Sequence, residues 1–281
     1  MPELPEVQTV VDTLVAQGLP GRSITGASVY WPKTIAGVPP AGFCRLVKGC
    51  MIQGINRRGK YIVFHLSHGL TLLTHLRMSG RLTWQPKVAA RSKHEHVILE
   101  TDSVNSLRFH DPRKFGRMVL TETPEKWLNR LGPEPLDNKF TAKRFARMLM
   151  ARKRQIKPLL LDQHFLAGLG NIYTDEALWE ARIHPQQVSD MLSASDIGTL
   201  HRAIRRVLRK GLKNKGTSLG RGQSNFQSPG NRTGRNADTL NVFRRTGEAC
   251  PRCRRIIERI IVGQRSSHIC PVCQPLSRAH P

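Results

Sequence analysis

A chain of 281 residues, 39% hydrophobic and with four Trp and nine Phe, can bury the core of one large domain or two ordinary ones. No apolar run approaches the ~18 residues of a membrane span. The N-terminus lacks the basic and apolar regions of a signal peptide, so a soluble cytoplasmic protein is expected. The 45 Lys and Arg against 20 Asp and Glu, a net +25, point to a polyanionic partner whose counterions are released on contact. Nucleic acid suits that field better than an anionic membrane surface; a merely basic, ribosome-like surface is the plain alternative. The charge is uneven, with 18 basic and 11 acidic residues in 1–137 against 27 and 9 in 138–281.

Residues 5–18, PEVQTVVDTLVAQG, place Val7, Val10, Val11, Leu14 and Val15 at helical spacing, and Gly18 supplies a stop. Short runs with strand character follow: YIVFHL (61–66), LTLLTHL (70–76), HVILE (96–100) and SLRFH (106–110), separated by Gly, Asn, Asp and Ser turns. One leading helix and then strands predict a β-sandwich or barrel-like domain. It ends near LGPEPLD (131–137), whose prolines and glycine read as a linker.

The second half predicts helices over 141–152, 156–166, 171–182 and 193–212, the last capped by Ser193 with Asp196 three residues on. The Gly-, Ser- and Asn-rich segment 215–239 is almost free of apolar residues and is predicted to be a mobile loop. The whole is an α+β chain.

Near the C-terminus, Cys250-Pro-Arg-Cys253 and Cys270-Pro-Val-Cys273 are separated by sixteen residues. Two such knuckles suit tetrahedral thiolate binding of one structural zinc ion, Zn2+. A disulfide pair is the alternative, but a cytosolic chain keeps such thiols reduced. A contribution from His268 is conceivable, although four cysteines already complete the shell. Cys44 and Cys50 read as ordinary buried residues. Between the knuckles, RRIIERIIVGQRSSH reads as a basic hairpin with Gln264 and Arg265 at its tip. In HFLAGLGNIYTDEALWEARIHP (164–185), a glycine turn leads to Asn171 at a helix start, where free backbone N–H groups accept a phosphate. A plain packing corner would look the same.

The opening MPELPEV has two readings. Methionine before proline is normally trimmed, leaving Pro2 as a secondary amine. An α-amine is ~10% free base at pH 7 against ~0.04% for a lysine. A terminal proline is therefore much the better nucleophile toward a sugar anomeric carbon, with Glu3 beside it to carry protons. The alternative is a proline in the first turn of a helix whose acidic residues favour its dipole.

Taken in order, MPELPEV, RRGKY (57–61), HLRMSG (75–80), KHEHV (93–97), DPRKFG (111–116), LGPEPL (131–136), GLGNIY (168–173) and QRSSHICPVCQ (264–274) resemble the bacterial formamidopyrimidine-DNA glycosylases of the Fpg/Nei, helix-two-turn-helix group. The resemblance spans essentially the whole chain. It implies an N-terminal catalytic β-sandwich domain with a leading helix (1–134), a helix-two-turn-helix DNA-binding domain with a lesion-capping loop (135–240), and a zinc-finger β-hairpin (241–281). It further implies an enzyme acting on double-stranded DNA with a damaged base, and a monomer is the default expectation. That enzyme excises oxidised purines such as 8-oxoguanine and formamidopyrimidines, then nicks the abasic site by β,δ-elimination.

By the same resemblance Pro2 is the nucleophile and Glu3 the proton donor, with Glu6 holding the terminus. Lys60 contacts phosphate near the lesion and assists catalysis; Asn171 and Arg265 grip phosphates beside the flipped nucleotide. His94 is a DNA contact. Met78, Arg113 and Phe115 fill the gap that base extrusion leaves and face the orphan base. Met78 and Phe115 would otherwise be core residues, but the turn-like MSG and KFG settings favour exposure. The chain departs from the family pattern at Gln8, at Lys114, at SSH in the hairpin and in the loop after 216, which bears on base preference. Two other readings remain: an endonuclease VIII-like glycosylase for oxidised pyrimidines, and a non-catalytic zinc-finger DNA-binding protein.

Overall fold

The computed structural model describes residues 1–219, 226–229 and 233–276. Contacts divide the chain into one unit of Met1–Asn129 with Gly211–Ala237 and a second of Arg130–Lys210 with Asp238–Pro281. Among the described residues, no helix is long and apolar enough to cross a membrane.

The first unit opens with α1 (Leu4–Ala16), whose Leu4, Val7, Val10, Val11 and Leu14 are buried. Gly18, at φ +74°, turns the chain away in the left-handed conformation that glycine adopts without strain. There follow β1 (Ile24–Val29), β2 (Ile35–Ala36), α2 (Pro40–Val47), β3 (Ile52–Arg58), β4 (Tyr61–Leu66), β5 (Thr71–His75), β6 (Arg81–Pro86), β7 (Glu95–Thr101), β8 (Asn105–His110), β9 (Arg117–Thr121) and α3 (Glu125–Leu128). One sheet is ordered β1-β7-β8-β6 and the other β2-β9-β5-β4-β3. Among the described residues, only β2 beside β9 is parallel.

Alternation along β4 explains the layering. Ile62, Phe64 and Leu66 join Val97 and Leu99 of β7, Leu107 and Phe109 of β8, and the apolar face of α1 in one core. Val63 points the other way, to Leu73, Val119 and Leu128. A fully buried side chain of this size contributes roughly 1.5–3 kcal/mol. This is the sandwich with a leading helix that the sequence predicts. Strand β3 gives no such signal in the sequence, because IQGINRR carries four polar residues and a glycine and has only Ile52 buried along its length.

The second unit holds α4 (Ala142–Met150), α5 (Ile156–Leu161), α6 (Asn171–Ala181), most of α7 (Ala194–Lys213), and the hairpin β10 (Glu258–Val262) and β11 (Arg265–Ile269). Thr141 caps α4 by accepting from Arg144 N–H at 3.2 Å. Ser193 and Asp196 form the predicted reciprocal cap of α7. The helix expected over 156–166 stops five residues early. The Asp162 carboxylate accepts from His164 N–H at 3.0 Å, and this local turn competes successfully with another helical turn.

Part of the predicted mobile loop, residues 220–225 and 230–232, lies outside the described residues. The rest of that segment is tied down. Ser218 Oγ donates to the Phe226 carbonyl (2.6 Å) and accepts from Gly234 N–H (2.9 Å). The Gly216 carbonyl accepts from Asn236 N–H at 3.0 Å. A Cβ on Gly234 would lie 2.1 Å from the Gly216 oxygen, so the two stretches approach this closely only because the residue is glycine. Polar composition signalled a loop correctly, but here those side chains satisfy backbone groups.

Candidate active site and nucleic-acid interface

In the first unit, Pro2 and Glu3 are buried at the start of α1 while Met1 is exposed. Glu6, 1% exposed, fixes them. One carboxylate oxygen accepts from Glu3 N–H at 2.8 Å and the other from Thr217 N–H at 2.7 Å. Glu6 thus anchors the terminus to a segment more than 200 residues away in sequence. The second anchor is Gln8, whose side-chain oxygen accepts from Arg57 Nε at 3.0 Å. Arg57 also donates to the Gly59 carbonyl at 2.9 Å, which joins α1 to the β3–β4 turn that carries Lys60. The amide at position 8 serves that bond without a carboxylate.

Lys60 is 4% exposed. Across the ladder, His75 pairs with Tyr61 in register and meets its ring edge-on at 4.9 Å. His75 Nδ1 accepts from Arg77 N–H at 3.0 Å, which requires an unprotonated Nδ1. Burial first, then the charges of Arg77 and Lys60, push the His75 imidazole down to about 3. An unfolded His binds its proton near pH 6.5. Below that pH the unfolded chain holds more protons than the folded one, so stability falls with falling pH until about pH 3. Between pH 6.5 and 5 this residue alone accounts for about 2 kcal/mol. The His75→Gln variant is expected to lose correspondingly less stability over that range in urea denaturation; an unchanged pH slope would contradict the assignment.

Two turns carry the proposed gap-filling side chains, and one residue overlooked in the sequence holds both. Asp111 is fully buried. Its Oδ1 accepts from Ser79 Oγ in the Met78 turn and from Arg113 N–H, and its Oδ2 accepts from Gly116 N–H at 2.7 Å. Met78 is 37% and Phe115 48% exposed, in keeping with their turn settings. Arg113 is exposed, with its guanidinium 4.9 Å from the Phe115 ring centre. A Cβ on Gly80 would stand 2.4 Å from the Leu76 oxygen, so the tight 76–80 turn requires glycine. The local signal for Asp111 was its place before Pro112, a turn-forming dipeptide. His94 is half-buried, its ring edge-on to His110 at 5.7 Å.

In the second unit, Gly170 caps α6 and Asn171 is its first residue, as the glycine turn predicts. Val262 and Arg265 pair across a two-residue turn in which Gly263 and Gln264 both have positive φ, the tight hairpin geometry. Arg265 is exposed at the start of β11. The carbonyl of neighbouring Ser266 accepts from Asn171 Nδ2 (2.9 Å) and from Lys157 Nζ (2.7 Å). Lys157, fully buried, pairs with Asp175 at 2.6 Å. The other Asp175 oxygen accepts from His268 N–H at 3.0 Å and lies 3.0 Å from His268 Nδ1. His268 therefore braces the hairpin through Asp175.

Glu176, the next residue on α6, accepts from the backbone N–H groups of Asn241, Val242 and Phe243. Two consecutive buried carboxylates thus hold the hairpin and the segment leading to it. Breaking a buried pair strands the remaining charge, at about 3–5 kcal/mol. Lys157→Met is expected to lower the stability of this unit by that amount and to raise amide exchange across 265–269. Wild-type protection there would contradict this role.

The four knuckle cysteines gather their sulfurs within 4.8 Å of one another, with Cys250–Cys273 at 3.9 Å and Cys253–Cys270 at 3.3 Å. Tetrahedral Zn–S bonds of ~2.3 Å place sulfurs roughly 3.8 Å apart, so the donor set fits zinc. Burial pushes the Cys273 thiol up to about 12 and raises Cys270. Four thiolates share this space only with a divalent cation among them. Among the described residues the surrounding core is small, with Trp179, Val242 and Ile257 beside the cysteines. The zinc is structural. Cys50 is buried and Cys44 partly so.

A buried Pro-Glu terminus on a β-sandwich, with a helical unit bearing a zinc hairpin, defines a class of nucleic-acid-processing protein. Residues 1–118 match the formamidopyrimidine-DNA glycosylase N-terminal domain, 131–222 its H2TH domain, and 247–276 the zinc finger found in FPG and IleRS. The chain belongs to the formamidopyrimidine-DNA glycosylase family. It is 45% identical over 274 residues to the Protochlamydia amoebophila formamidopyrimidine-DNA glycosylase, covering 98% of this chain and 99% of that one. It is 44% identical to the Roseiflexus sp. protein of the same name, covering 98% and 100%. Among solved structures it is similar to wild-type Lactococcus lactis Fpg (MutM) with DNA containing N7-benzyl-Fapy-dG. That match has TM-score 0.89 and 37% identity, covering 98% of this chain and 100% of that chain.

Proposed function

We propose that this chain removes oxidised purines, 8-oxoguanine and formamidopyrimidines, from duplex DNA and then cleaves the abasic site by β,δ-elimination. The observation that carries this reading is the buried Pro2–Glu3 terminus held by Glu6 in a chain similar over its length to formamidopyrimidine-DNA glycosylases. The purine preference draws on relatives solved with DNA containing Fapy-dG and carbocyclic 8-oxo-G.

With Met1 removed, the Pro2 nitrogen attacks C1′ of the damaged nucleotide and the base departs. Glu3 delivers a proton to the opening sugar ring, and an iminium links Pro2 to C1′. Loss of a C2′ proton then expels the 3′ phosphate, and a second elimination expels the 5′ phosphate. Lys60 contacts phosphate and assists at the first unit's site; Asn171 and Arg265 grip phosphates from the second. Met78, Arg113 and Phe115 occupy the gap left by the extruded base, and His94 is a further DNA contact. The protein acts as a monomer in the cytoplasm.

Borohydride trapping on duplexes with 8-oxoguanine opposite cytosine, thymine glycol or a bare abasic site tests this. Adduct on the purine lesion and the abasic site is expected. Adduct on thymine glycol but not 8-oxoguanine would select a pyrimidine enzyme of the endonuclease VIII type. No adduct on any duplex would leave a non-catalytic DNA-binding protein.

A further inference from the structure

Arg108 of β8 is 2% exposed; its Nε donates to Ser106 Oγ on the same strand at 2.9 Å, and its two terminal nitrogens bond to one loop. It donates to the carbonyls of Pro86 (3.0 Å), Lys87 (3.1 Å) and Ala89 (2.8 Å) and to the Glu95 carboxylate (3.1 Å). Glu95 in turn accepts from Ser92 N–H at 3.2 Å and from Gln85 Nε2 at 3.3 Å. One planar fork therefore dictates the path of residues 86–95, where a lysine could not reach the same carbonyls together.

That loop walls a concave site of about 310 Å³ whose cations are Arg91, Lys93 and Lys114, with His94 and His96 beside them, and whose aromatic faces are Tyr30 and Trp31. Among the described residues, no acidic side chain lines it. Arg91 lies 4.1 Å over the Tyr30 ring and Lys114 3.9 Å over Trp31, so stacking on the rings orders both cations. Tyr30 N–H donates to the His96 carbonyl at 2.8 Å, which ties the aromatic floor to the start of β7, where the loop ends. The Trp31 indole N–H is buried without a protein partner.

We propose that this pocket is a phosphodiester-binding subsite for the DNA backbone, extending beyond His94, and that Arg108 is the positioning residue that builds it. The inference rests on the DNA-repair reading above. Clustered cations without a carboxylate recognise a phosphate oxygen, and the aromatic floor fixes where they sit.

The test is equilibrium binding of the full chain to a duplex carrying a tetrahydrofuran abasic analogue, measured across a range of salt. Each phosphate contact contributes about −0.9 to the slope of log K against log salt. Arg91→Ser with Lys114→Ser is expected to make the slope shallower by about 1–2. Arg108→Lys removes no surface charge, yet it is expected to reproduce a loss of about 1. Its KM for an abasic duplex should rise about tenfold with kcat within about twofold, a split that general destabilisation does not produce. A folded Arg108→Lys with the wild-type slope overturns the positioning role. If that variant does not fold, the double variant decides, and a wild-type slope there overturns the subsite. His94→Ala separates the premises: wild-type affinity overturns the DNA contact assigned to His94, whereas a weakened His94→Ala beside wild-type slopes in the others overturns this inference alone. Inorganic phosphate is the last arm, since phosphate-dependent Trp31 fluorescence with unchanged DNA slopes would mark a free-anion site and overturn the assignment to DNA.

Discussion

Pro2→Gly will form borohydride-trapped adduct with an abasic duplex at least about 100-fold more slowly than the unaltered chain. The substitution keeps an α-amine but removes the ring that makes it secondary and limits its motion. Glu6 grips the backbone N–H of Glu3, so the anchor survives, and the variant isolates the amine's chemistry from the folding of α1. Loss of orientation by about 1 Å costs on the order of 10² in rate. A rate within about threefold of the unaltered chain would remove Pro2 from the reaction. Glu3→Gln gives the complementary result. An abasic sugar already equilibrates with its open aldehyde, so trapping on it should persist, while base excision falls by about 10²–10⁴.

Cys270→Ser will bind damaged duplex about 10²–10⁴-fold more weakly and will retain less than one zinc per chain. The two phosphate grips proposed for Arg265 and Asn171 depend on the hairpin, and each such bond is worth about 1.5–3 kcal/mol. The Asn171 amide is aimed by the Ser266 carbonyl of β11, so melting the hairpin frees it as well as Arg265. The small core of Trp179, Val242 and Ile257 cannot hold the hairpin without metal. Metal analysis and equilibrium binding on the same preparation check both halves. A zinc-depleted chain with unaltered affinity would refute the structural role of the metal.

The contrast between these two sites explains what a reader of the sequence can and cannot see. Zinc knuckles are local, because each pair of ligands sits in one turn and the spacing alone carries the chemistry. The periodicity of α1 and the alternation of β4 are equally local, and both elements form where predicted. MPELPEV was ambiguous because its meaning depends on a partner, Thr217, that no nearby residue announces.

The same holds for the buried charges that organise the interfaces. Arg108 meets carbonyls about 20 positions earlier, and Lys157 meets Ser266 across 109 positions. Asp175 meets His268 across 93. No pattern of short period encodes such pairs, and a lone Lys or Asp in a helix reads as a solvated face. His268 shows the converse, since proximity to the cysteines in sequence suggested a ligand and the fold gives its ring to a carboxylate. Asp111 was half legible, as a turn former before proline, but its hold on the Met78 turn arises only from the packing of two loops 32 positions apart.

The central claim is that the N-terminal proline carries the covalent intermediate. Its most direct test is mass-spectrometric peptide mapping of the protein reduced with borohydride on a duplex containing 8-oxoguanine. The sugar remnant is predicted on the peptide beginning with Pro2, attached to its nitrogen. A remnant on Lys60, or on any other lysine, would contradict the account.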